Sequence, residues 1–162
     1  MNEELIRLAK RIRTELGELQ RVVGRVQEAW RRAQTSSDDY YLDGVALNLH
    51  GFYAGLERLF ELIATVIDGS RPQGANWHQE LLVQMAIEVP KVRPAVISEK
   101  SRTSLDPYRG FRHVVRNVYT FTLEPTKMQQ LVADAPAVFQ QVRRELLAFA
   151  DFLEQRVRTP GH

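Results

Sequence analysis

The sequence has no cysteine, which excludes disulfide frameworks, thiolate metal sites and cysteine nucleophiles. Its four histidines are scattered, no two at the spacing of a helical ligand pair, so no metal constellation emerges. There is no glycine-rich phosphate loop and no Gly-x-Ser-x-Gly elbow, which removes the common nucleotide-cradling and hydrolase motifs. No stretch approaches the ~18 uncharged apolar residues of a membrane span. The opening residues Met1-Asn2-Glu3-Glu4-Leu5 have neither a basic n-region nor an apolar h-region. These shortages predict a soluble cytoplasmic protein with no metal, no cofactor and no membrane partner.

What the chain does contain is amphipathic helix. Leu5, Leu8, Ile12, Leu16, Leu19, Val23, Val26 and Trp30 recur at spacings of three and four, which predicts one long helix over 3–34. Val45, Leu49, Phe52, Leu56, Leu59, Ile63 and Val66 repeat the pattern, with Asp38 or Asp39 as N-cap and Gly69 as terminator. Ser70 to Gly74 reads as a loop and Trp77 to Met85 as a short helix, with Trp77, Leu81, Leu82 and Met85 on its apolar side. Pro90 and Pro94 then break the chain. Two starts compete for the next helix: Ser98, followed by the first-turn acid Glu99, and the Asp106-Pro107 pair. A restart or a kink is expected at Pro107, with helix from there to about Thr122. The last helix begins near Pro125, is expected to be disturbed at Pro136, and continues through Phe139, Val142, Leu146, Phe149 and Leu153.

No strand alternation of useful length occurs, so the expected fold is all-α: an up-and-down bundle of four to five helices, the two long leading ones forming an antiparallel hairpin. The 162 residues, 44% of them apolar, suit a single domain over 1–162. Most of the 22 basic groups are arginines, yet the net charge is only +2, so any nucleic-acid contact should be a local patch rather than a coating surface.

One run carries such a patch. At about 100° per residue, Phe111, Val114, Val115, Val118 and Phe121 share one arc, whereas Arg109, Arg112, His113, Arg116, Asn117, Tyr119 and Thr120 fill the opposite one. That second arc has three arginines, a histidine and no acid, so its cations are expected to lack local partners. A solvated surface is the plain alternative, but unpaired guanidinium groups beside His and Asn suit phosphate recognition.

The segment Gly110-Phe111-Arg112-His113-Val114-Val115-Arg116-Asn117-Val118-Tyr119 resembles the signature of the HEPN superfamily, and in particular of its HepT-like toxins. That signature is an Arg, a polar Asn, Asp or His, three variable residues, a His, one further residue and a Tyr. Ala46 to Arg58 and Asn76 to Leu82 are also similar to stretches of HepT-like proteins, and the resemblance covers roughly residues 40–155. Arg112, His113 and Tyr119 match signature positions; Asn117 stands where the signature has its histidine.

The resemblance implies a HEPN-like fold and a homodimer whose two signature helices face each other across a cleft. It also implies metal-independent RNA cleavage, with the ribose 2′-hydroxyl activated against the adjacent phosphate. Arg112, His113 and Asn117 are then the candidate catalytic set, with Arg109 and Arg116 binding substrate. The implied partner is a minimal nucleotidyltransferase antitoxin that attaches AMP to Tyr119. Asn117 is not a general acid or base, and His113, about 40° away around the helix, is the nearest imidazole. Three readings stay open: an RNA-cleaving toxin, a degenerate module that binds RNA or the nucleotidyltransferase without cutting, and a helical scaffold with no site.

Other polar residues carry blander readings. His50 and Asn48 suit an interface or the core, Trp77-His78 anchors the short helix, and Glu57-Arg58 and Arg143-Arg144-Glu145 read as solvated or intrahelical pairs. Tyr40, Tyr41 and Tyr53 could stack on bases, although packing is the commoner use of such residues in a bundle.

Overall fold

The computed structural model describes residues 2–38, 40–117 and 125–158, and for 112–117 the description is of the backbone alone. The described residues form five helices: α1 (Asn2–Thr35), α2 (Tyr40–Ile63), α3 (Trp77–Met85), α4 (Glu99–Asn117) and α5 (Pro125–Arg158). α2 runs on into a π-helical turn, Ala64–Asp68. Among the described residues there is no strand, only one isolated bridge between Val89 and Arg93. The expected all-α bundle is what forms.

The first two helices owe their stability to one shared seam. All seven aliphatic positions from Leu5 to Val26 in the α1 repeat are buried, and Trp30 is half-buried against the same core. The Asp38 carboxylate accepts the Tyr40 N–H at 2.9 Å and caps α2; Asp39, the other candidate cap, lies outside the described residues. Gly55 and Gly44 face α1, and a Cβ on Gly55 would sit 2.6 Å from Leu19 Cδ2, whereas one on Gly44 would meet Ala29 at 3.8 Å. The pairing of 55 with 19 and 44 with 29 makes the two helices antiparallel, and the missing side chain at 55 lets them approach closely. Gly69 ends the π turn in the left-handed region at φ 69°, where its N–H reaches the Ala64 carbonyl.

α5 lies antiparallel to α1. Arg13 pairs with Asp151 at 2.5 Å and with Glu154 at one end, and Gln27 binds the Val132 carbonyl at 2.7 Å at the other. The ring of Phe52 in α2 meets Phe139 in α5 and Tyr108 in α4 edge-on, at 6.1 and 5.4 Å. Tyr108 also donates its hydroxyl to the Leu131 carbonyl at 2.6 Å. Burial, with the Asp134 charge adding to it, pushes that hydroxyl well above the usual tyrosine range.

Both internal prolines lie within continuous helices. Pro107 does not restart a helix: α4 begins at Glu99 and passes through it. The other candidate start is the one used, since Ser98 Oγ accepts the Ser101 N–H at 3.1 Å and caps α4. α5 likewise passes through Pro136. A proline removes the N–H that would bond the carbonyl four residues earlier, which at Pro136 is that of Val132. The Gln27 amide supplies a donor to that carbonyl from α1, so the lost bond is replaced from a neighbouring helix.

Candidate functional site

α4 carries the candidate run, and its described half fixes how it lies in the bundle. Ser101, Leu105 and Tyr108 are buried, while Phe111 is only half-buried. The described part of the buried stripe runs through Ser101, Leu105 and Tyr108, with Phe111 at its edge. Phe111 belongs to a flank, and Tyr108 is the residue seen to meet Phe52 in the core.

Of the predicted site residues, Arg109 is described with its side chain. Its Nε donates to Asp106 at 2.8 Å, which corrects the expectation of a cation without a local partner: the acid sits one turn upstream, just before the basic run. A part-buried i, i+3 pair on a helix surface stabilises by about 0.2–0.5 kcal/mol, little enough for a phosphate to displace the carboxylate. The side chains of Arg112, His113, Arg116 and Asn117 lie outside the described residues, as do Tyr119 and the helix expected as far as Thr122.

A second polar group went unrecognised in the sequence. Glu57, read there as half of a solvated pair with Arg58, is only 3% exposed. Its Oε2 lies 2.8 Å from Nδ1 of His78 in the first turn of α3. The Trp77 ring stacks on that imidazole at 3.6 Å, tilted by 31°, so the reading of Trp77-His78 as an anchor of the short helix stands. The available signal for Glu57 was the width of the apolar surface of α2: Tyr53, Leu56, Leu59 and Phe60 around it are all buried, and an acid within such an arc needs a partner.

Asp68 and Arg93 form the other buried pair. Arg93 Nε and Nη2 bind the two Asp68 oxygens at 2.6 and 2.8 Å, Nη1 donates to the carbonyls of Ile87 and Pro94, and Nη2 also reaches that of Gln84. All five guanidinium protons are thus committed. This clasp ties the end of α2 to the turn between α3 and α4, where Lys91 adopts φ 67°.

The remaining assignments divide. Glu145, expected in a local pair, instead accepts the backbone N–H of Ser98 at 2.9 Å and its hydroxyl at 2.8 Å, linking α5 to the start of α4. Burial raises its carboxyl, but the Ser98 N–H together with donors from Gln141, Ser101 and the Ser98 hydroxyl more than offsets this, leaving it below the ordinary glutamate range. Tyr53 is wholly buried, which rules out base stacking. Tyr40 is 75% exposed and stands edge-on to Tyr41. His50 is half-buried, and Asn48 bonds the Gly44 carbonyl at 2.8 Å. No cluster of acids and histidines able to hold a metal exists among the described residues, and none of their helices is long and apolar enough to cross a membrane.

A family model described as HepT-like protein matches residues 44–153. The matched span runs from the start of α2 almost to the end of α5 and contains the whole basic run, whereas α1 precedes it. No curated protein and no solved structure matches the chain.

Proposed function

Because the chain belongs to the HepT-like protein family, we propose that it is the toxin half of a bacterial toxin–antitoxin pair and acts on RNA at the signature segment of α4. The observation that carries this reading is that the matched residues include Arg112, His113, Asn117 and Tyr119 in the order of the signature. Arg112 neutralises phosphate charge as the 2′-hydroxyl attacks, and Arg109 and Arg116 hold the backbone of the RNA. Two copies related by a two-fold axis combine their arginines into one cationic groove. A minimal nucleotidyltransferase silences the groove by attaching AMP to Tyr119, adding bulk and negative charge where phosphate binds.

Asn117 favours a second reading, because an amide does not exchange protons at neutral pH: the module binds RNA or the nucleotidyltransferase without cutting. Purified protein assayed on RNA in the presence of a chelator, beside Arg112→Ala, His113→Ala and Asn117→His, separates the two. Cleavage by the wild type that is lost in Arg112→Ala supports the toxin. A silent wild type with activity gained in Asn117→His establishes the binding module, and silence throughout with no RNA retained leaves a scaffold. Co-expression with an active nucleotidyltransferase should add one adenylate to Tyr119 by mass spectrometry; an unmodified Tyr119 refutes that mode of control.

A further inference from the structure

A cleft of about 490 Å³ lies between the turn that joins α3 to α4 and the last turns of α5. Glu88, Lys91, Val92 and Pro94 line it from the turn, and Phe152 and Arg156 line it from α5. Such a volume suits one small molecule. The cleft precedes α4, whereas the basic run starts at Arg109, ten residues after Glu99. On the order of 15 Å of helix therefore separates the two.

The turn is built to hold its shape. Val89 and Arg93 exchange both backbone bonds, at 3.0 and 2.9 Å, and the Arg93 guanidinium is committed to Asp68 and three carbonyls. Between them Lys91 stands at φ 67°, where glycine is at ease and a residue with a Cβ is not. A turn that keeps lysine there accepts backbone strain and places a basic side chain at the cleft, and strain of this kind collects at ligand sites. From α5, Arg156 donates to the Val92 carbonyl, which holds its guanidinium against the turn. Glu88, Lys91 and Arg156 make no ion pair among the described residues. Asp68 balances Arg93, so the cleft offers a ligand two basic groups and one acid.

These groups match the three parts of a nucleotide. Phe152 is half-buried, its ring backed by that of Phe149 with centroids 5.7 Å apart, and supplies an aromatic surface for a base. Lys91 and Arg156 suit a phosphate. Glu88 would repel a plain aromatic acid, but it accepts hydrogen bonds from ribose hydroxyls or a base amino group. Phe152 and Arg156 are four residues apart on α5, one turn or about 6 Å, comparable to the separation of a base from its own phosphate.

We propose that the cleft binds a single nucleoside monophosphate, its base against Phe152 and its phosphate between Lys91 and Arg156. The site is independent of the RNA-cleaving reading above, and no residue of the signature enters it. A nucleotide so placed bridges the α3–α4 turn and α5, which adds to the tie that Arg156 already makes.

The test is calorimetric titration and thermal melting of the full chain with adenosine monophosphate, adenosine and ribose 5-phosphate. Stacking on an aromatic ring tolerates any base, so adenine serves as the probe. Adenosine monophosphate should raise the melting temperature by about 3 °C or more at tenfold its dissociation constant. Adenosine and ribose 5-phosphate, each without one anchor, should bind about 10-fold more weakly or worse. Lys91→Gly is the sharper arm, because glycine relieves the strained φ: without ligand it should melt no lower than the wild type, yet bind adenosine monophosphate about 10-fold more weakly. Phe152→Leu keeps an apolar side chain and should show a similar loss of binding. Displacement of the nucleotide by a short RNA with a 5′-phosphate, and not by the same RNA with a 5′-hydroxyl, identifies the occupant as an RNA end; displacement by neither identifies it as the free nucleotide. A wild type that does not bind adenosine monophosphate overturns the proposal, as does binding that Lys91→Gly and Phe152→Leu leave intact. Either result leaves the RNA-cleaving reading untouched.

Discussion

At the end of α2, Asp68 grips a guanidinium with no exposed surface, whereas three turns earlier Glu57 meets an imidazole that still reaches solvent. Both acids are buried on the same helix system and both bind a base from the α3 region. The difference lies in the base. Arg93 spends every donor on Asp68 and three fixed carbonyls, so it holds the turn in place. His78 meets Glu57 through one ring nitrogen and keeps part of its ring at the surface. Two buried acids on one helix system can therefore have partners enclosed to very different degrees.

Breaking the first pair should give the largest effect. Arg93→Ala leaves Asp68 buried without its cation, and denaturant unfolding should show a loss of about 3–5 kcal/mol. A loss below 1 kcal/mol would mean that the turn relaxes and that the two pairs are alike. His78→Gln should lower stability by only about 1 kcal/mol, because an amide can still serve Glu57. Arg93→Gln, which cannot replace five donors, should cost considerably more in the same assay.

A contact with no charge calibrates both. Gln27→Ala removes the donor to the Val132 carbonyl and should cost about 0.5–1.5 kcal/mol. In a Pro136→Ala background the cost should shrink, since the restored N–H at 136 takes the same carbonyl; an undiminished cost in the double-mutant cycle would refute this account of the proline. The smallest effect belongs to Glu145, an acid served mainly by uncharged donors. Its lowered carboxyl contributes stability that is present above the ordinary glutamate value of about 4.5 and is lost as pH falls through the lower folded value. Urea midpoints measured downward from pH 5 should fall less steeply for Glu145→Gln than for the wild type.

The helices were legible because their signals are local. The spacing of Leu5 to Val26 places α1 within a residue of Asn2–Thr35, and Trp77 to Met85 is reproduced end for end. How the helices accommodate Pro107 and Pro136 was less legible, for the opposite reason. Whether a helix survives a proline depends on what else reaches the orphaned carbonyl, and Gln27 stands 105 residues from Val132. The Glu57–His78, Asp68–Arg93 and Ser98–Glu145 contacts likewise join residues far apart in the chain, so inspection of neighbours assigned Glu57 and Glu145 to local pairs. For the basic run, composition was sufficient to find it and the resemblance to name it.

The seam between α1 and α5 has a consequence for biosynthesis. The α1–α2 hairpin can close as soon as both helices leave the ribosome, but the face of α1 that meets Val132, Asp151 and Glu154 has no cover until α5 is made. Nascent chains thus pass through a stage in which part of an otherwise completed seam is open to water, the condition under which partly made proteins associate wrongly or recruit chaperones. The same stage leaves α4 without its contacts to α5, the Tyr108–Leu131 and Ser98–Glu145 bonds, so the helix that bears the basic run gains its full support only when α5 joins the bundle.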